Sequence, residues 1–247
     1  MVSIETGLLG CVEYGSMTSS LPLSARYQKP MPKSARLGDI SQAILNQVPV
    51  EHSMVQGIKM YASLLLPWSD DPNQYEQRYK SAGLVKTKGT IFLLPPPEKV
   101  LREAYNAPPR PKTRMSSGAV ALCKHFERGG CSADPSKGKD IHPFWKLPLG
   151  SNENKSGIAG DILEEMLSYA IWRNVIWLHE GVAVYEIRNA GGYGMRWTLD
   201  TEREASGMMN QEGDEEENFE IVKTTFRGFL EPIEGLDHEL DGAQAPK

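Results

Sequence analysis

No apolar run in this chain of 247 residues approaches the roughly 18 residues that a bilayer-spanning helix requires. The longest, Met60 to Trp68, is nine residues and carries a proline near its end. Cysteine is scarce. Cys11, Cys123 and Cys131 are three in all, an odd number and too few for the disulfide framework of a secreted protein, so reduced thiols are expected. Excess charge of one sign is missing too, with 27 Lys and Arg against 32 Asp and Glu and a formal net charge of −5. The opening segment MVSIETGLLGCVEYGSM lacks the basic and long apolar regions of a secretory signal and the Arg-rich character of a transit peptide. These absences exclude a membrane span and a disulfide scaffold, and the expected setting is the cytoplasm or nucleus, with no membrane partner.

A hydrophobic content of 40% is below the globular average but enough for a core, so a collagen, a coiled-coil rod and a fully disordered chain are excluded. The 17 prolines and 23 glycines imply that part of the chain lies outside that core. The mild net charge conceals an opposition. Lys99 to Lys146 holds ten Lys and Arg against four Asp and Glu, whereas Asp200 to Lys247 holds fourteen acidic residues against four basic ones. Such polarity marks either an anion-binding segment beside an acidic tail or two segments that attract each other.

Residues 1–38 are rich in Ser, Pro and Gly without a sustained period and read as a flexible arm. A single α+β domain is expected over residues 39–240, followed by a small polar tail at 241–247. Asp39 or Ser41 can cap a first helix ending at Pro49, and Val55 to Leu65 suggests a second, so additional N-terminal helices precede the main core. TIFLLPPP has the look of a short buried strand stopped by proline. Residues 95–156 read as long irregular loops, with a short helix possible only in SGAVALCKHFERGG. From Ser156 onward, apolar residues at i, i+3 and i+4 predict one long helix over about 157–176. VAVYEIR, MRWTLD and FEIVKTTFRGFLEPI then alternate as strands, separated by the glycine turn NAGGYG and by an acidic loop at 201–218. The expected architecture is an antiparallel β meander packed on the long helix.

The pieces GYGMRW and FRGFLEP, with CKHFERGG and HPFWKLPLGSNENKSG, resemble a family of filamentous-fungal proteins over roughly residues 115–240. The resemblance implies domain boundaries; it brings no activity, cofactor or substrate with it.

Four constellations could carry chemistry. Cys123, His125, Cys131 and His142 are four N/S donors of the kind that hold tetrahedral zinc, but neither C-x2-C nor H-x3-H spacing occurs, and isolated Cys and His are the plainer reading. Arg188, Arg196, Trp197 and Arg227 lie on the strands, with Arg173 near the end of the long helix. Alternation sends Arg196 and Trp197 to opposite faces, so one face can pack while the other presents guanidinium to a carboxylate or phosphate. The competing reading is ordinary cross-strand pairing with Glu180, Glu186, Glu220 and Glu231. Ser151 to Lys155, ahead of the long helix, could add backbone donors for an anion. His179 and Glu180, with His238 between Asp237 and Glu239, supply the minimum for general acid–base work, but HEGVAVYE is not H-E-x-x-H. Finally Arg102, Arg110, Lys112, Arg114, Lys124, Arg128 and Lys146, interleaved with Tyr105, Phe126, Phe144 and Trp145, suit phosphate contact and base stacking, against which the net negative charge counts.

No phosphate-binding, dinucleotide, nucleophile-elbow or kinase motif is present, and no cofactor is expected. The sequence therefore points first to a binding or interaction module that recognises an anionic ligand or a protein partner through Arg173, Arg196, Trp197 and Arg227. An enzyme acting on an anionic small molecule through His179, Glu180 or His238, and a nucleic-acid binder using residues 99–146, are the alternatives.

Overall fold

The computed structural model describes residues 63–128, 144–178, 181–189, 192–203 and 219–231. These residues form an α+β fold. Helices α1 (Gln74–Ser81), α2 (Glu98–Asn106), α3 (Ser117–Arg128) and α4 (Asn152–Tyr169) precede strands β1 (Trp172–Trp177), β2 (Ala183–Arg188), β3 (Gly194–Arg203) and β4 (Phe219–Leu230). The strands make one antiparallel meander in the order β1-β2-β3-β4. The helix expected over 41–48 and most of that over 55–65, the arm at 1–38, the tail at 241–247 and the acidic stretch beyond Arg203 lie outside the described residues.

The long helix is shorter at its C-terminal end than its periodicity suggests. Ser151, not Ser156, caps it, its hydroxyl accepting the Asn154 amide at 3.2 Å. Ser156 instead accepts the backbone amide of Ser116 at 3.1 Å. Helix α4 stops at Tyr169, and the Arg173 guanidinium donates to the carbonyls of Leu167 at 3.0 Å and Ala170 at 2.7 Å. A cation on the last carbonyls satisfies acceptors that no further turn can use. The segment WRNVIW, expected as helix, is β1 because both of its faces are covered: every residue but Arg173 is buried. A strand buried on both sides loses the alternation by which strands are recognised.

One sheet face carries the main core. Val175, Trp177, Tyr185, Ile187, Met195, Trp197, Phe226 and Phe229 pack against Leu101 and Tyr105 of α2, Leu122 of α3, and Ile162, Leu163 and Met166 of α4. Polar tips fix the helices in place: the Trp197 indole donates to the Leu101 carbonyl at 3.1 Å, and the Tyr105 hydroxyl donates to the Ala159 carbonyl at 2.8 Å. Beyond β1, Val85 and Ile91 donate to the carbonyls of Arg173 and Val175, so the TIFLL segment flanks the sheet through a single bridge, Thr90 to Ile176. Asn174 locks this edge by donating to the Thr87 hydroxyl at 3.0 Å while its oxygen accepts from Tyr79 at 2.7 Å and Thr90 at 3.0 Å.

Strand β4 uses twelve residues to accompany the ten of β3. The two extra residues are bulges. The register steps from Asp200–Lys223 to Thr201–Ile221, passing over Val222, and from Arg196–Gly228 to Trp197–Phe226, passing over Arg227. Gly228, beside the second bulge, has φ of 150°, which a side chain resists. Bulges bend and twist a strand, and the effect here is large. In a flat sheet the first and fourth strands would lie about 14 Å apart, three spacings of roughly 4.8 Å. The rings of Trp177 in β1 and Phe219 at the start of β4 nevertheless sit 5.8 Å apart. The sheet is coiled, and the start of β4 folds back over the end of β1.

Candidate functional site

The coiling leaves a groove between the start of β4 and the chain that flanks β1. Its volume is about 1080 Å³, at the upper end of the range for small-molecule sites. One wall is the run Phe219 to Thr224 and the other is the run Ile91 to Pro97, and Trp177, Asn73 and, from α1, Tyr75 and Arg78 complete the lining with Val100.

Local sequence explains why these walls hold. Asn73 caps α1 by accepting the Glu76 amide at 2.8 Å. Glu76 is buried and bonds Lys86 at 2.7 Å and the Ser69 amide at 3.0 Å. The Lys86 ammonium foremost, then Ser69, hold its carboxyl down at about 2. This ion pair ties α1 to the segment flanking β1, and Tyr79 adds an edge-to-face contact with Phe92 at 5.5 Å. Three successive prolines, Pro95 to Pro97, then stiffen the wall and open α2, with Pro97 at its N-cap.

The lining combines apolar side chains with two cations, Arg78 and Lys223. Phe92 and Val222, 36% and 50% exposed, both face the groove. Such side chains in a concave surface mark a binding patch more often than an accident of packing. Arg78 is exposed and has no carboxylate within ion-pair reach among the described residues, while Lys223 meets Asp200 only at 3.9 Å across open solvent. An exposed pair of that length contributes little and leaves the ammonium available. Glu220 is the one acidic residue of the lining, against Arg78 and Lys223.

The four residues expected to form an arginine face are not brought together. Arg173 is spent on the end of α4. Trp197 is fully buried in the main core. Arg196 lies on the opposite face, buried, and donates to Glu186, its register partner on β2, at 2.5 Å. Arg188 bonds the other oxygen of the same carboxylate and also donates to the carbonyls of Gly192 and Glu231. Glu186 and Arg188 are wholly buried, so this is an interior Arg–Glu–Arg arrangement. Arg227 is exposed at its bulge.

Of the other candidates, His179, Glu180, His238, Cys131 and His142 lie outside the described residues. Cys123 is half-buried and forms no disulfide. His125 is buried, with Nδ1 3.2 Å from the Glu231 carboxylate, which also accepts the Trp145 indole N–H at 2.8 Å. Two apart on α3, Cys123 and His125 do not share a helix face, and among the described residues no cluster of three or more His, Cys, Asp or Glu is arranged to hold a metal ion. The aromatics of the basic stretch, Tyr105, Phe126, Phe144 and Trp145, are all buried. Arg102 is bonded to Glu164 and Glu98, and Lys146 lies near Glu165 and Asp161. Of the cations singled out in that stretch, Arg110, Lys112, Arg114 and Lys124 are exposed.

Sequence reasoning missed the groove residues altogether. The available signal was Val222 and Phe226, whose apolar side chains fall out of step with the alternation set by Phe219 and Ile221. The chain matches no protein-family model, no curated protein and no solved structure. The groove itself therefore carries the functional argument.

Proposed function

We propose that this chain is a binding module that holds an anionic, largely apolar partner in the groove between β4 and the Ile91–Pro97 wall. The observation that carries the reading is that solvent-exposed Phe92 and Val222 share one lining with Arg78 and Lys223. Apolar contact supplies affinity and the cations supply orientation, the usual division of labour in such sites. The recognition chemistry is the one expected of the arginine face, moved to cations that have not been consumed by internal pairing. The cytoplasm or nucleus stays the expected setting. No described helix is long and apolar enough to cross a membrane.

Anilinonaphthalenesulfonate, an aromatic anion, tests this directly by fluorescence titration of the folded protein. Val222→Asp and Arg78→Gln should each weaken its binding about tenfold, a change of roughly 1.4 kcal/mol, while Arg227→Gln leaves it unchanged. Thermal melts of the same variants check that folding is intact. Equal affinity across all four proteins would refute the groove.

A further inference from the structure

We infer that the groove's natural occupant is an extended acidic peptide segment of another protein, which adds as a strand to the outer edge of β4. The inference rests on the groove reading and names the partner class.

The lining pattern is the first support. A pocket over a sheet face is lined by alternate residues, because successive side chains point to opposite faces. Here six consecutive residues of β4, Phe219 to Thr224, border the groove. The groove thus runs along the strand's backbone edge. The second support is topology: β4 pairs with β3 on one side, and among the described residues no strand occupies the other. The third is the opposite wall. Coiling brings it within reach of β4, and a wall of ordinary residues could close the sheet on itself. Pro95, Pro96 and Pro97 carry no N–H, so this half of the wall donates nothing to a ladder with β4. An edge with no partner strand among the described residues, facing an apolar slot, is the geometry of strand addition, in which main-chain bonds give affinity and pockets for alternate side chains give selectivity. Charge supplies the fourth support. Arg78 and Lys223 outnumber Glu220 in the lining and so favour acidic side chains, while Phe92 and Trp177 offer apolar contact.

The test starts from a phage-displayed library of random dodecapeptides, selected on the whole chain and counter-selected on Val222→Asp. The best peptide is then synthesised in three forms: unmodified, and with backbone N-methyl groups on alternate residues in each of the two registers. Acidic peptides with alternating apolar residues should be enriched and should displace anilinonaphthalenesulfonate. One N-methyl register should keep the parent affinity and the other should lose about tenfold or more, because only one edge of the peptide faces β4. Amide hydrogen exchange at residues 219–224 should slow in the complex, and Arg78→Gln should weaken the peptide several-fold. Equal binding by both N-methylated forms, unprotected β4 amides or failure to enrich any peptide would each overturn strand addition. If the dye still binds in those cases, the groove reading survives; if the dye fails as well, both fall.

Discussion

Replacing Glu186 by Gln keeps the side chain's shape and removes the charge that Arg188 and Arg196 both bond. Each hydrogen bond to a charged group contributes about 1.5–3 kcal/mol, and Gln retains one oxygen to accept one of the two. Its amide N–H₂ then points at the second guanidinium, donor against donor. Breaking a buried ion pair by removing one partner typically costs about 3–5 kcal/mol. Glu186 and Arg188 are wholly buried and Arg196 is 7% exposed, so solvent gives little relief. We expect Glu186→Gln to lose about 3 kcal/mol, which for a domain of this size lowers Tm by roughly 6–12 °C. Urea unfolding followed by tryptophan fluorescence measures the loss. The double variant Glu186→Gln, Arg196→Met should lose less than the sum of its parts, since the two side chains are bonded to each other and each change breaks the same contact. A loss under about 1 kcal/mol, or strict additivity, would refute the argument.

Further expectations concern the walls and helices. Glu76 titrates at about 2 in the fold against an ordinary 4.5, so its pairing with Lys86 contributes fully above pH 4.5 and is lost as pH falls toward 2. The stability difference between the native chain and Glu76→Gln, measured by thermal melts from pH 6 to pH 2.5, should shrink across that window; a difference independent of pH would contradict it. Gly157 and Gly160 in α4 have open space where a Cβ would sit, so Gly157→Ala and Gly160→Ala should each stabilise by roughly 0.5–1 kcal/mol. Gly118 in α3 is the opposite case, because its Cβ would fall 2.0 Å from the Tyr105 ring, and Gly118→Ala should destabilise by about 1–3 kcal/mol. Finding the same sign at all three glycines would show that α3 and α4 are packed otherwise.

What the sequence made legible was whatever alternated or repeated locally. Strands β2, β3 and β4 were visible because Val184, Glu186 and Arg188 alternate with Ala183, Tyr185 and Ile187, and because Gly191 and Gly192 mark the turn. Strand β1 was hidden, since Trp172, Ile176, Val175 and Trp177 make both of its faces apolar and the run then imitates a continued helix. Helix α2 was masked by the prolines before it, and α1 buries only Glu76 and Tyr79, too few to show a period. The fate of Arg196 depended on its register partner, ten residues away across a turn, and composition does not set register. The groove was the least legible part. It joins residues 73–100 to residues 219–224, and only the coiling of the sheet brings them together.

The two bulges of β4 also say where this strand can change length. Counting inward-facing residues from Phe229 to Phe219 gives Phe229, Phe226, Thr224, Ile221 and Phe219, with steps of three, two, three and two. Losing a residue at any ordinary position inverts everything beyond it and turns Phe219 or Phe229 toward water. Losing Val222 or Arg227 removes the supernumerary residue and leaves the parity of the rest intact. Curvature and pairing are therefore separable in this strand. A chain lacking Val222 would keep its core register, straighten, and carry Phe219 away from Trp177, so the width of the groove is set by one residue that the ladder does not need.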